Sequence, residues 1–498
     1  MKFTTNKSYF CTMNEKSLKE KTASGFIWSA TDRFGQQIIG MVVRIIIARI
    51  LFPSDFGLIG ILLIFNIFAN LIQDSGFSIA LIRKKEPTIV EYSTIFYFNI
   101  FISILVYLIL YISAPFISIF FEQPLMVSLS RVLFLSFIFN ALGIIQNVMI
   151  VKALDFKKNT IISIIAGSLS GIIAVGMVYT GFGVWSLVVQ VVLSSLFRTI
   201  LLWIYGHFRP VLRFENSVLK NFFPFSSKMF LTGIMTQTSS IVYTSVIGKS
   251  FDVSQVGFYT EATKYQSIAM DTMSGVINNV ALPVLSSIKE TEERLIRVFR
   301  KLMRVSAFIS FPVMVALGVI AHPLIILLLT EKWQSAVPIL QILCISGMFY
   351  TLTTTNIALL KTKGKSGMIL KTELIRNILL VAIIFFTLPH GVMSLIWGLV
   401  IINICYYFLF IFQVKKVISY SIIEQLKDIF PYFFISLCCF LPTLLFHQII
   451  SNLYLQLFVQ LFLGAGLYFI LCKYSGSKIF EETQSLLTKQ LKKSQSNE

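Results

Sequence analysis

Two arginines, Arg33 and Arg44, sit eleven positions apart in the first long apolar run of the chain. At ~100° per residue, eleven residues make three turns and ~20°, so both fall on one helical face, ~16 Å apart. Gln37 and Gly40 share that stripe. Further along, Lys264, Asp271 and Asn278 recur every seven residues beside Ser267, Ser274 and Gly275. A neighbouring run holds Lys228, Thr232, Thr236, Gln237, Ser239 and Ser240. A charge inside a lipid-spanning helix costs several kcal/mol, so these faces are expected to line a water-filled cavity. Arg33, Arg44, Lys228 and Lys264 outnumber Asp32, Glu261 and Asp271, which makes that cavity cationic. It would attract an anion, most simply a phosphate or diphosphate, which Arg holds through paired hydrogen bonds. The small polar neighbours suit sugar hydroxyls. The blander reading pairs each Arg with an acid in the bundle, or lets Arg44 reach the outer water.

Arg131, Arg198 and the pair Glu373/Arg376 complete the inventory of intramembrane charge, and snorkelling to the nearer surface competes for all three arginines. Asp74, Glu261, Asp271 and Glu373 are candidate proton or cation sites, with a structural counter-charge for a nearby Arg as the competing role. The chain carries no enzyme constellation. Its four histidines lie near run ends and far apart, and HExxH, Walker A, GxGxxG and GxSxG are all missing. The six cysteines show no CxxC spacing and mostly sit in apolar runs, so neither a disulfide framework nor a metal or cofactor site is expected.

The elements that position these residues follow from composition. Of 498 residues, 56% are hydrophobic and only 13% charged, with 47 Phe and a mean hydropathy of +0.80. A soluble domain carries about a quarter charged residues. Runs such as 95–121 and 161–179 reach the roughly 20 apolar residues that a bilayer span needs. Lipid offers no partner to backbone amides, so an all-α polytopic membrane protein is expected, with about fourteen spans and both termini on one side. The polar, basic first 22 residues read as a cytoplasmic tail rather than a signal peptide.

The net charge of +19 reports topology rather than nucleic acid. Of 42 Lys and Arg, 32 lie in the tails and alternate connections and only three, Arg49, Lys249 and Lys332, on the opposite side, where the connections FPSD, FEQP, YTGFG, GKSFD, TEKW, LPHG and FHQIISN are short and nearly uncharged. That asymmetry places both tails in the cytoplasm. The chain also repeats itself. Arg49 precedes Gly57 by eight residues and Lys249 precedes Gly257 by eight, an offset of 200, and Pro115/Glu122 is echoed by Pro323/Glu331. Two lobes of six spans in one orientation follow, as in many transporters. The expected organisation is a tail at 1–22, an N-lobe at 23–208, a linker at 209–222, a C-lobe at 223–416, two extra spans at 417–474 and a tail at 475–498.

The stretch RIIIARILFPSDFGLIGILLIFN from Arg44 to Asn66 resembles the start of Wzx-type polysaccharide flippases, of the branch of colanic and teichuronic acid exporters. So do DSGFSIALI from Asp74, STIFYFN from Ser93, LDFK from Leu154 and GFGVWSLVVQ from Gly181. VIGKSFDVSQVGFY from Val246, PVLSSI from Pro283 and LLLTEKW from Leu327 extend the likeness, which runs from about residue 22 to 365. The family lies in the multidrug/oligosaccharidyl-lipid/polysaccharide exporter superfamily. The resemblance implies two pseudo-symmetric six-helix lobes around a central cavity plus two C-terminal helices. It also implies transfer of an undecaprenyl-diphosphate-linked oligosaccharide across the bacterial inner membrane, with cationic residues of the first and eighth spans, here Arg33 and Lys264, at the headgroup. A polysaccharide polymerase and a chain-length regulator are the implied partners. The competing readings are a multidrug exporter of the same superfamily and a polytopic polymerase or ligase. Outer connections of only a few residues disfavour the latter.

Overall fold

A computed structural model of the chain describes residues 15–481 apart from 75, 289–290 and 477–478; the side chains of Asp74 and Asn278 also lie outside the described residues. Every regular element among the described residues is helical. They form two compact units, one ending at Gln237 and the other starting at Thr238. The first contains α1 (Glu15–Ile50), α2 (Pro53–Asp74), α3 (Phe77–Arg83), α4 (Ile89–Phe121), α5 (Met126–Leu133), α6 (Leu135–Lys152), α7 (Phe156–Tyr179), α8 (Trp185–Tyr205) and the first part of α9 (Asn216–Ser250). The second adds α10 (Val253–Ser287), α11 (Glu292–Val319), α12 (Ala321–Leu329), α13 (Ala336–Thr362), α14 (Ser366–Thr387), α15 (Val392–Lys415), α16 (Ile422–Phe440), α17 (Phe446–Ile449) and α18 (Leu453–Tyr474).

Ten helical segments are long and apolar enough to cross a membrane. Helices α1, α9, α10 and α14 have the length for it, at 36, 35, 35 and 22 residues, but are more polar. The remaining expected spans fall on these four, which also carry most of the candidate charges. Helix starts are set locally. Thr88 and Ser421 close capping boxes with Glu91 and Glu424, with N–H to hydroxyl distances of 3.2 Å in both, and the Asp155 and Asn452 side chains cap α7 and α18. The two repeated connections each have a base at the end of the long helix (Arg49, Lys249) and an acid at the next start, at different positions: Asp55 in the first turn of α2 accepts from the Phe52 amide at 3.0 Å, and Asp252, the N-cap of α10, from the Ser254 amide at 2.7 Å.

In the first unit α1 packs on α7, α7 on α8 and α6 on α8. A Cβ at Gly171 would stand 2.5 Å from a Val43 methyl, so only glycine lets α7 approach α1 there. Gly167, one turn earlier, faces Ile39, a small-xxx-small contact of the kind that replaces hydrophobic driving force between helices in lipid. An aromatic core of Phe77, Tyr92, Phe96 and Phe208 with Leu81, Ile95 and Ile145 anchors α3 and α4.

In the second unit α13 packs against α10, α11 and α15. The two C-terminal helices join this unit through α11: the Tyr468 hydroxyl donates to the Phe308 carbonyl at 2.9 Å, and the Phe308 ring lies 5.8 Å from Tyr432. Asp428 on α16 locks the joint. It accepts from Arg300 Nε at 2.8 Å, Arg304 Nη2 at 2.6 Å and the Tyr420 hydroxyl at 2.8 Å. Removing one partner of such a pair leaves the others uncompensated. Both arginine side chains are about one-third exposed, at 32%, which screens part of the loss. Asp428→Ala is therefore expected to destabilise the second unit by roughly 2–3 kcal/mol. A melting midpoint in detergent equal to wild type would contradict this.

Candidate functional site

Helices α1, α9 and α10 carry exposed polar side chains beside exposed apolar ones such as Phe34 and Ile38 on α1 and Leu231 on α9. On α1, Arg33 is exposed, Gln37 half-buried, and Arg44 half-buried with its guanidinium 5.4 Å from the Phe56 ring. On α9, Lys228, Thr232, Thr236 and Gln237 are all exposed. The Thr232 hydroxyl donates to the Lys228 carbonyl at 2.8 Å and Thr236 to the Gly233 carbonyl at 2.9 Å, which spends their protons and leaves their oxygens as acceptors. On α10, Lys264 and Asp271 are exposed and Ser267 is half-buried, as a seven-residue stripe requires. Each charge so placed would cost about 2.5–3.5 kcal/mol against hydrocarbon.

The other acids stand apart from those faces. Glu261 has no exposed surface although it lies three residues from Lys264. Glu373 on α14 is 8% exposed. It accepts from the Tyr406 hydroxyl and pairs with Arg376 at 3.5 Å, while the Arg376 guanidinium stacks 4.6 Å from the Tyr406 ring. Neither Arg376 nor Arg131, which lies 4.3 Å from the Tyr111 ring, is held by water alone.

The first unit contains a feature that residue spacing did not single out, a cavity of about 540 Å³. Its polar lining comes from Asn70 and Gln73 of α2, Asn140 and Asn147 of α6, Arg198 and Thr199 of α8 and Gln237 of α9. Of the candidate residues whose side chains are described, only Gln237 and Arg198 meet there. Arg198 turns inward instead of snorkelling: Nη2 donates to Asn147 Oδ1 at 3.2 Å and Asn159 Oδ1 at 3.4 Å. Asn159 in turn donates to Asp32 at 3.4 Å, and Asp32 accepts from Gln36 at 2.7 Å. On α2, Asn70 donates to Asn66 at 2.6 Å and Gln73 to Ser103 at 2.5 Å. The available signal was amide spacing: Asn66, Asn70 and Gln73 fall at i, i+4 and i+7, and Asn140 and Asn147 at i and i+7.

With the geometry in place, comparison with known proteins decides the family. A model described as "Polysaccharide biosynthesis protein" matches residues 46–338, more than half of the chain. The chain belongs to that family. A Klebsiella pneumoniae relative, "Uncharacterized membrane protein in cps region", is 27% identical over 96% of this chain and 100% of its own. Escherichia coli "Lipopolysaccharide biosynthesis protein WzxC" is 25% identical over 86% of this chain and 87% of its own. In fold, the chain is similar to "Lipid II flippase MurJ, inward closed conformation", with a TM-score of 0.72, 89% of this chain and 97% of that chain covered, and 16% identity. The chain is thus an all-α, multi-pass membrane protein of the polysaccharide biosynthesis family, similar in sequence to a Wzx-type relative and in fold to MurJ.

Proposed function

We propose that this polysaccharide biosynthesis protein is a flippase that carries undecaprenyl-diphosphate-linked oligosaccharide repeat units from the cytoplasmic to the outer leaflet of the bacterial inner membrane by alternating access. Arg33 and Lys264 hold the diphosphate, with Arg44 and Lys228 adding to the field. Gln37, Thr232, Thr236, Gln237, Ser267 and Asn278 take sugar hydroxyls. The lipid tail stays in hydrocarbon, so only the headgroup needs a wet path. Asp74, Asp271, Glu261 and Glu373 are the candidates for ion coupling. Both termini lie in the cytoplasm, and the moved units feed a polymerase and its chain-length regulator.

The observation that supports this reading is the sign and exposure of the polar faces: Arg33, Lys228 and Lys264 are exposed on long helices, against Asp271 alone among the described acids of those three stripes. At an effective dielectric of ~20, a cation 4 Å from an anionic oxygen contributes about 4 kcal/mol, several times its value in bulk water. A drug cation would meet repulsion in such a place. Cells lacking this chain test the proposal. Full-length lipid-linked repeat units should accumulate on the cytoplasmic face, beyond reach of an impermeant probe. Units exposed normally outside but left unpolymerised would point to a polymerase instead.

A further inference from the structure

None of the four residues assigned above to the diphosphate is among the described residues lining the cavity of the first unit, and the chemistry of that lining differs from theirs. Arg198 carries a full charge, yet its contacts in the cavity wall are two neutral amide oxygens, those of Asn147 and Asn159. The acid Asp32 acts on Arg198 through its charge, while it accepts a hydrogen bond from Asn159. No acid occurs among the described lining residues. Both of these bonds use Nη2, and the buried Nε donates to no protein acceptor, so part of the five-donor guanidinium is unspent. Around it stand Asn70, Asn140 and Gln237, each presenting both donor and acceptor atoms, as vicinal hydroxyls require. The volume, about 540 Å³, falls within the usual range of a small-molecule site.

Depth agrees. Arg198 lies seven residues before the end of α8, ~10 Å along the axis, and Asn147 lies five before the end of α6, ~8 Å. The charge asymmetry assigns both ends to the cytoplasm. The cavity is therefore within headgroup reach of the leaflet on which lipid-linked sugars would be presented.

We propose that this cavity is a saccharide subsite that selects a sugar unit bearing an oxyanion, with Arg198 taking the paired anionic oxygens and Asn70, Asn140 and Gln237 the hydroxyls. The proposal rests on the transport reading for its biological substrate, but binding can be measured without transport. Two sources share this chemistry: the carboxylate of an acidic sugar in the repeat unit, and the phosphate that joins the first sugar to its lipid.

Calorimetric titration of the purified full-length chain with glucuronate, glucose 1-phosphate and glucose tests the subsite. One of the two anions is expected to bind with a Kd of roughly millimolar order, as suits so small a ligand, and glucose more weakly by roughly 10- to 100-fold. Arg198→Gln should erase the difference between anion and glucose. Asn140→Leu, which leaves both Arg198 bonds in place, should weaken all the ligands together. Preference for glucuronate identifies an acidic repeat unit, and preference for glucose 1-phosphate identifies the linkage phosphate. Equal affinity for all three ligands, or an anion preference that survives in Arg198→Gln, overturns the subsite. Should that variant not fold, Arg198→Lys decides, since it keeps the charge and loses the fork: an undiminished preference overturns the proposal. Anion binding by a wild-type chain that moves no lipid-linked glycan would remove the transport reading and leave the subsite standing. Transport without any anion preference would do the reverse.

Discussion

Alanine at both Arg33 and Lys264 is expected to abolish glycan export while leaving the chain folded and at normal abundance. Both side chains are exposed, and exposed substitutions away from caps and cores usually change stability by no more than about 0.5 kcal/mol. A bound diphosphate would lose two charge-assisted contacts worth about 1.5–3 kcal/mol each. Together these correspond to a roughly 100- to 10,000-fold loss of headgroup affinity. Arg33→Lys should fall between, because an ammonium keeps the charge but loses the planar fork. The measurement is the rate at which lipid-linked glycan becomes accessible to an impermeant probe, scaled to membrane protein level. Rates within twofold of wild type in the double variant would remove both residues from the headgroup site.

Glu373→Leu is expected to be the most destabilising of the single substitutions considered. It leaves Arg376, whose side chain is 15% exposed, beside the Tyr406 ring without its carboxylate. Breaking a buried pair from one side costs about 3–5 kcal/mol, whereas replacing both partners by apolar groups is often neutral. Glu373→Leu combined with Arg376→Met should therefore recover most of the lost melting temperature. If the double variant melts no higher than Glu373→Leu alone, the pair is not the source of the loss. If both variants hold their melting temperature but lose export, Glu373 carries a coupling ion rather than a structural charge.

The helices of this protein are legible in its sequence because lipid leaves the backbone a single local solution, so apolar runs and capping residues mark each element. Even the polar helices could be read. Helix α10 is long enough to span but too polar to stand among the ten apolar segments, and the Lys264/Asp271 repeat that makes it polar is the repeat that emerges exposed. What resisted reading is side-chain pairing over long separations. Asp428 directly follows Lys427, yet its two arginine partners stand 124 and 128 residues earlier. Arg198 looked able to snorkel, and its inward turn depends on Asn147 and Asn159, on two other helices. Glu261 and Lys264 lie one turn apart, and only packing decides that the first is buried and the second exposed.

The most direct test of the transport reading is reconstitution of the purified full-length chain into liposomes carrying an undecaprenyl-diphosphate-linked oligosaccharide, followed by oxidation or lectin capture from outside with a reagent that cannot enter. A flippase brings the inner-leaflet pool to the reagent at a rate proportional to protein, and the Arg33/Lys264 double variant does so far more slowly. If only the outer-leaflet fraction ever reacts, whether the liposomes are empty or loaded with wild-type protein and under an imposed ion gradient or none, the chain does not move this substrate and the account of its function is wrong.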